Sequence, residues 1–327
     1  MIEEILPNLY KIEVPLPRNP LRAINCYTIK DGHKSLIIDT GMNREECMNV
    51  LSSGLKELGV ELNKADFFLT HMHADHAGLV SSLATDTSKI YSSQADADII
   101  NDVTSPDTVY WDDESEFARR NGFPENELQK AIDNHPGYKY GPKGPLDFYI
   151  VKEGDTISIG NYLFRCIETP GHSPGHLCLY ESSKKILFSG DHILSDITPN
   201  IQLFTGVLNT LNDYLESLDK VYELDVDFVL PGHRKTFRNH KERIQELKHH
   251  HEIRIDEILS ILKEGDKNAF KVASQMSWDI KYEDWGMFPV SQKWFAAGEA
   301  LSHLKYLEDK EKVKRKIQGQ EVMFSLK

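Results

Sequence analysis

Asp66-Phe67-Phe68-Leu69-Thr70-His71-Met72-His73-Ala74-Asp75-His76 places four potential metal ligands within six residues, directly after an apolar run. The run Asp66–Thr70 reads as a buried strand that delivers the donors at its end. Alternation along a strand sends His71, His73 and Asp75 the same way, and a tight turn after Asp75 brings His76 in from another side. Imidazole and carboxylate suit divalent zinc, and also iron or manganese. The donors are too many for one tetrahedral ion, so the run predicts two ions. The chain has 14 histidines in 327 residues. Three of them in six positions, with an aspartate between, is not what a polar loop of that composition produces.

A two-metal centre needs about three more donors, because catalytic ions keep a position open for water. Three segments supply them where apolar runs end in Gly or Pro-Gly. Thr169-Pro170-Gly171-His172-Ser173-Pro174-Gly175-His176 follows the strand-like Tyr162–Glu168. Leu187-Phe188-Ser189-Gly190-Asp191-His192 ends a second run, and Phe228-Val229-Leu230-Pro231-Gly232-His233 ends a third. Glycine lets the backbone turn sharply just before each donor.

Together these segments resemble the metallo-β-lactamase superfamily. The match is HxHxDH at 71–76, GHxxGH around His172 and His176, GD at 190–191 and PGH at 231–233, in the family's order. Asp39-Thr40-Gly41, after the hairpin-like stretch Ile24–Asp39, matches a further motif. The resemblance covers roughly residues 1–240 and implies an α/β fold, a four-layer αβ/βα sandwich. It implies that His71, His73 and His172 bind one metal, that Asp75, His76 and His233 bind a second, and that Asp191 bridges them together with a hydroxide. Two divalent ions are expected, zinc first, with iron or manganese as alternatives. The hydroxide is then the nucleophile and the ions stabilise the developing oxyanion. Asp75 and Asp191 are the carboxylates expected to take part in catalysis. For Asp75 the roles of ligand, general base, or both in succession stay open.

Four nearby residues are candidates for supporting or substrate-binding roles. His176 either hydrogen-bonds within the site or begins the strand His176–Tyr180. His192 either supports the bridging Asp191 or lies beside substrate. Asp39 reads as a carboxylate that stabilises a turn or a ligand. Arg234 either pairs with an anionic substrate or forms an exposed salt bridge.

Composition bounds the rest. The net charge of −13 and sequence pI near 5.5 argue against non-specific binding to nucleic acid or anionic membranes. Hydrophobic residues make up 40% of the chain, enough for a sizeable core. Cys26, Cys47, Cys166 and Cys178 show no CxxC pairing, and Cys26, Cys166 and Cys178 read as buried thiols. The start Met1-Ile2-Glu3-Glu4 is acidic and lacks the apolar region of a signal peptide, and no apolar stretch approaches membrane-spanning length. A soluble cytoplasmic protein without a membrane partner is expected.

The chain divides into a hydrolase domain, 1–240, and a C-terminal module, 241–327. Residues 1–91 read as strand, hairpin, helix and strand, with a turn at Asp31-Gly32 and a helix over Asn43–Leu58. Residues 149–231 read as a second series of strands, with a turn at Gly160-Asn161. Between them, 93–148 is a helical insertion rich in aromatics (Tyr110, Trp111, Phe117, Phe123, Tyr138, Tyr140). Such an insertion forms either a pocket wall or an anchor to the core. In the C-terminal module Ile244, Leu247, His251, Ile255, Ile258 and Leu262 mark an amphipathic helix, with His251 on its apolar face. A short helix at Asn268–Met276, an aromatic loop, a long helix from Ser291 and a hairpin around Gln318-Gly319-Gln320 follow. That order is winged-helix-like and is similar to the LACTB2-like group. Lys310, Lys312, Lys314, Arg315 and Lys316 form a basic run near the hairpin, in which a solvated tail is the simpler reading.

The resemblance also narrows the reaction. A bridging aspartate such as Asp191 is typical of glyoxalase II-like, lactonase-like and nuclease-like members, so lactam hydrolysis is disfavoured. His73 stands where flavodiiron members carry glutamate, so redox chemistry is disfavoured too. The expected activity is hydrolysis of a small-molecule thioester, ester or lactone. The alternative is a phosphodiesterase or endoribonuclease of the LACTB2-like type, with RNA as its partner. A non-catalytic binding protein comes last, because all seven ligands are present.

Overall fold

Two mixed β-sheets face each other, with helices on both outer surfaces, in a computed structural model that describes residues 1–207, 209–279 and 282–327. The first sheet contains β1 (Ile2–Leu6), β2 (Leu9–Pro15), β3 (Ala23–Asp31), β4 (Lys34–Ile38), β5 (Ala65–Phe68), β6 (Ile90–Ser92) and β7 (Phe148–Ile150), side by side in chain order. The first four are antiparallel neighbours, and β4 to β7 run parallel. The second sheet holds β8 (Thr156–Ile159), β9 (Tyr162–Glu168), β10 (Leu177–Glu181), β11 (Ile186–Gly190) and β12 (Phe228–Pro231). Its spatial order is β12-β11-β10-β9-β8, and only the β11–β12 pair is parallel.

Three apolar layers hold the sandwich together. Between the sheets, Tyr27, Ile29 and Phe68 pack against Phe164, Leu179 and Phe188. Outside the first sheet, Ile37 and Phe67 meet Leu51 and Leu55 of the helix Glu45–Glu57. Outside the second, Ile167 and Leu187 meet Leu211 and Leu218 of the helix Thr210–Tyr222 and Ile244 and Leu247 of the helix His240–Leu262. Neighbours on β5 show how one strand serves two cores: Phe67 faces the helices and Phe68 faces the other sheet.

Most predicted elements are present, with two differences that bear on the site. The strand after Asp66 stops at Phe68, and His71 and His73 lie in irregular backbone while Asp75 and His76 lie in the short helix Ala74–Ala77. A loop-to-helix turn therefore aims the four donors, and strand alternation does not. Phe148–Ile150 pairs with β6, so it is the edge of the first sheet and not the start of the second.

The insertion forms the helices Gln94–Thr104, Tyr110–Arg120, Glu125–Asp133 and Pro136–Tyr140. Its Phe123 and Leu128 pack on Trp294 of the long helix Val290–Asp309. The C-terminal residues supply that helix, the short helix Ala269–Ala273 and a hairpin of β13 (Val313–Gln318) and β14 (Glu321–Leu326). Within the triplet at 249–251, His249 is exposed beside Glu252, whereas His251 is buried against His303. All four cysteines are buried and free. Among the described residues, no helix is long and apolar enough to cross a membrane.

The helix His240–Leu262 is one continuous rod whose first half enters the core beside the second sheet and whose second half enters a C-terminal core with Leu301 and Leu304. Leu247 is fully buried at the first of these contacts, and Ile253 is 54% exposed. Leu247→Ala should cost about 2–5 kcal/mol in urea unfolding, and Ile253→Ala should stay within about 0.5 kcal/mol. Equal losses for the two would refute this packing.

Candidate metal centre

Seven donors from four separate segments meet where the two sheets' strands end. The ligand atoms of His71, His73 and His172 lie within 4.8 Å of one another, as do those of Asp75, His76 and His233. Asp191 stands between the two groups. Its Oδ1 is 3.5 Å from His76 Nε2, and its Oδ2 is 3.6 Å from His172 Nε2 and 3.4 Å from His233 Nε2. His233 Nε2 is also 3.4 Å from Asp75 Oδ2.

Each of three imidazoles is held from behind by the nitrogen that faces away from the centre. His76 Nδ1 is 2.7 Å from Asp39 Oδ2, His172 Nδ1 is 2.8 Å from the Asn200 carbonyl, and His233 Nδ1 is 2.7 Å from the Ala23 carbonyl. A proton donated there leaves the Nε2 lone pair facing inward, which is the arrangement a metal-binding histidine needs. Asp39 adopts a left-handed backbone (φ 57°), and its carboxylate also accepts from the Thr70 amide and hydroxyl, at 2.8 Å each.

The electrostatics call for cations. Burial and the neighbouring imidazoles push His71 well down, and burial takes His73 to about 3, so both are neutral donors. His76 and His233 go the other way. Burial opposes their charge, but Asp39 and Asp191 outweigh it at His76, and Asp191 and Asp75 raise His233 to about 10. Burial likewise opposes ionisation of Asp191, yet His233 and His76 hold it well below the ordinary carboxylate range. His76 Nε2, His233 Nε2 and Asp191 Oδ1 are buried without a hydrogen-bond partner. Orphaned buried polar atoms are costly unless something fills the place between them. Five imidazoles and two carboxylates brought this close together are a donor set that fits divalent metal ions. The buried cluster is consistent with a dinuclear metal site.

The glycines before the donors are steric requirements. A Cβ on Gly232 would stand 2.7 Å from both Asp191 Oδ1 and His76 Cε1. One on Gly190, where φ is 48°, would meet His176 Nε2 at 2.7 Å.

The supporting candidates fall into distinct places. His176 is fully buried and bridges Thr169 Oγ1 (2.8 Å) to the amide of Asp191 (3.2 Å), so it braces Asp191 from β10's leading edge. His192 is also fully buried, packs near Tyr214 and His176, and does not line the cavity that opens onto His73, Asp75, His172 and Asp191. Arg234 donates to the Pro20 carbonyl at 3.1 Å, while its own carbonyl accepts from Asn25. It has no ion pair among the described residues.

Sequence reading missed Asp96. This fully buried carboxylate accepts from the Met72 amide (2.9 Å), the Ser173 hydroxyl (2.6 Å) and the Gly175 amide (2.8 Å). It ties the 71–76 turn to the 172–176 turn, although burial raises its pKa to about 6 against those bonds. Nothing in its neighbourhood at the start of the helix Gln94–Thr104 signals this, because its partners are remote in sequence.

Gly232→Ala tests the crowding. The variant should keep its far-ultraviolet circular dichroism and lose metal by elemental analysis. Full metal content would show that the centre does not need this space.

The chain matches the Metallo-beta-lactamase superfamily over residues 19–233. A beta-lactamase-like protein 2 homolog of Caenorhabditis elegans is 26% identical over 248 residues, which is 76% of this chain and 68% of that protein. The acyl-coenzyme A thioesterase MBLAC2 of Homo sapiens is 27% identical over 230 residues, 65% of this chain and 74% of that protein. A metallo-beta-lactamase family protein of Thermus thermophilus superposes with a TM-score of 0.83 at 25% identity, covering 99% of this chain and 100% of that one. A beta-lactamase domain protein of Burkholderia ambifaria shares the fold, with a TM-score of 0.79 at 23% identity over 100% and 95% of the two chains. With its motifs, its facing sheets and its His/Asp cluster, the chain belongs to the metallo-beta-lactamase superfamily.

Proposed function

We propose that this chain is a dinuclear metal-dependent hydrolase that cleaves the thioester or ester bond of a small acyl substrate, lactones included. The observation that carries this reading is a cavity of about 610 Å³ that opens onto His73, Asp75, His172 and Asp191. Its size suits a small molecule. Its remaining wall includes Ile100, Tyr110, Trp111, Phe204, Trp294 and Phe295. Those side chains come from the insertion, the 191–207 segment and the C-terminal helix, and they offer apolar surface to an acyl group. Thioesterases among the distant relatives support the same choice.

In this reading residues 1–240 carry the centre, and 241–327 form a module that closes the pocket. His71, His73 and His172 would hold one ion, Asp75, His76 and His233 the other, and Asp191 both; zinc suits the donors best. Bound divalent ions supply Lewis acidity and acidify water toward neutral pH. The protein's own part is to orient, to exclude solvent and to move protons. Asp39 and the Asn200 and Ala23 carbonyls fix three imidazoles. The apolar walls hold the acyl portion against the centre and keep bulk water out. Asp75 faces the cavity, and although burial opposes its charge, His233 and His76 hold its carboxyl down at about 2. It is therefore the group that takes a proton from the attacking water and passes it to the leaving group.

A phosphodiesterase acting on RNA is the competing reading, supported by the winged-helix-like order of the C-terminal module and by its basic run. Arg315 pairs with Glu308 and Lys316 with Asp266, and none of the run lines the cavity. Removing the C-terminal module does not separate the two readings, because Trp294 and Phe295 would leave the cavity wall with it.

Turnover of a panel decides the substrate class: acyl-CoA thioesters, p-nitrophenyl esters, lactones, bis-p-nitrophenyl phosphate and single-stranded RNA. Thioesters or esters should exceed the phosphodiesters at least about tenfold in kcat/KM, a difference of about 1.4 kcal/mol. A preference for RNA or the bis-phosphate would overturn the proposal. Asp191→Ala should lower the bound metal below two equivalents and abolish turnover. An active variant with two equivalents would reject the bridging role.

A further inference from the structure

We propose that Glu299, on the C-terminal helix Val290–Asp309, is a positioning residue for the metal centre, acting on His172 through Asn200. This rests on the reading of His172 as a ligand. His172 Nδ1 donates to the backbone carbonyl of Asn200 at 2.8 Å. Asn200 belongs to the segment 191–207, which contains no helix or strand. No ladder of backbone bonds therefore holds that carbonyl in place. The segment is instead fastened to the C-terminal helix. The Asn200 side-chain amide donates to Glu299 Oε2 at 2.8 Å and to the Phe295 carbonyl at 3.4 Å, and the Leu203 amide donates to the Gly298 carbonyl at 3.2 Å.

Glu299 is itself fixed from the far side. It is 8% exposed, and its Oε1 lies 3.6 Å from Nε of the buried Arg254 on the helix His240–Leu262. Arg254 is in turn bound to Glu257 at 2.9 Å and stacked 4.2 Å over the Trp278 ring. A continuous line thus runs from Arg254 through Glu299 and Asn200 to His172. Partners that orient a metal-binding histidine from behind act on metal affinity itself, typically by about 10–100-fold. The C-terminal residues would then complete the centre as well as wall its cavity.

The test uses the full-length protein, with zinc affinity from chelator competition and the visible spectrum of the cobalt-substituted form. Glu299→Ala should weaken zinc binding about tenfold or more and alter the cobalt spectrum. Glu299→Gln keeps an oxygen for Asn200 and should restore most of the affinity. Asn200→Ala breaks the same link from its other end and should match Glu299→Ala, with the double variant no worse than either single one. Leu304→Ala, in the fully buried C-terminal core, should lower the melting temperature and leave zinc affinity unchanged. Wild-type affinity in Glu299→Ala, additive losses in the double variant, or equal zinc loss in Leu304→Ala would each overturn the proposal. His172→Ala separates this from the underlying reading: retained metal there would mean that His172 is no ligand.

Discussion

Two carboxylates, Asp75 and Asp191, are buried among five imidazoles, and the rest of the site follows from keeping that arrangement affordable. An ionised carboxylate taken out of water costs several kcal/mol unless positive charge or hydrogen bonds meet it. Asp191 faces three imidazole nitrogens at 3.4–3.6 Å, and the Nε2 atoms of His76 and His233 have no hydrogen-bond partner. The protein alone must protonate histidines to balance the charge, whereas divalent ions balance it while the imidazoles stay neutral. The left-handed Asp39 and the bare Cα atoms of Gly190 and Gly232 are local consequences of crowding so many polar groups into one place.

Most of the centre's hydrogen-bond partners come from elements that are themselves held by packing. Asp39 hangs from the end of β4, and the Ala23 carbonyl sits at the start of β3. Asp96 clamps two of the donor turns together from the insertion's first helix. The exception is the Asn200 carbonyl, whose segment has no regular structure and leans on the C-terminal helix. The same helix supplies Trp294 and Phe295 to the cavity wall. Contact with the Asn200 segment and part of the cavity wall therefore come from one element far along the chain.

The aromatic insertion divides between the two roles considered for it. Tyr110, Trp111 and Tyr140 line the cavity, whereas Phe117 and Phe123 pack against C-terminal side chains. The His251 side chain takes the packed position that its place on the apolar helix face implies, 3.0 Å from His303.

By itself, the sequence determined the clustering of donors at Gly-terminated runs and the order of motifs that carries the family resemblance. The paired-sheet fold followed from that resemblance, since apolar periodicity alone reads only as mixed α and β. The sequence shows the donor clustering through local chemistry: donor spacing, apolar runs, and turns that glycine makes. It did not reveal that a loop and a short helix, instead of a strand, aim His71 to His76, because the run Phe67-Phe68-Leu69 reads alike whether the strand stops at Phe68 or at Thr70. Nor did it mark Asp96, Asn200 and Glu299. An isolated acid or amide has no local signature when its partners lie some 80 to 100 residues away, as Asp96 does from Gly175 and Asn200 from Glu299. Only the tertiary structure decides such contacts, because burial and hydrogen-bond geometry between distant segments arise only once the layers have packed.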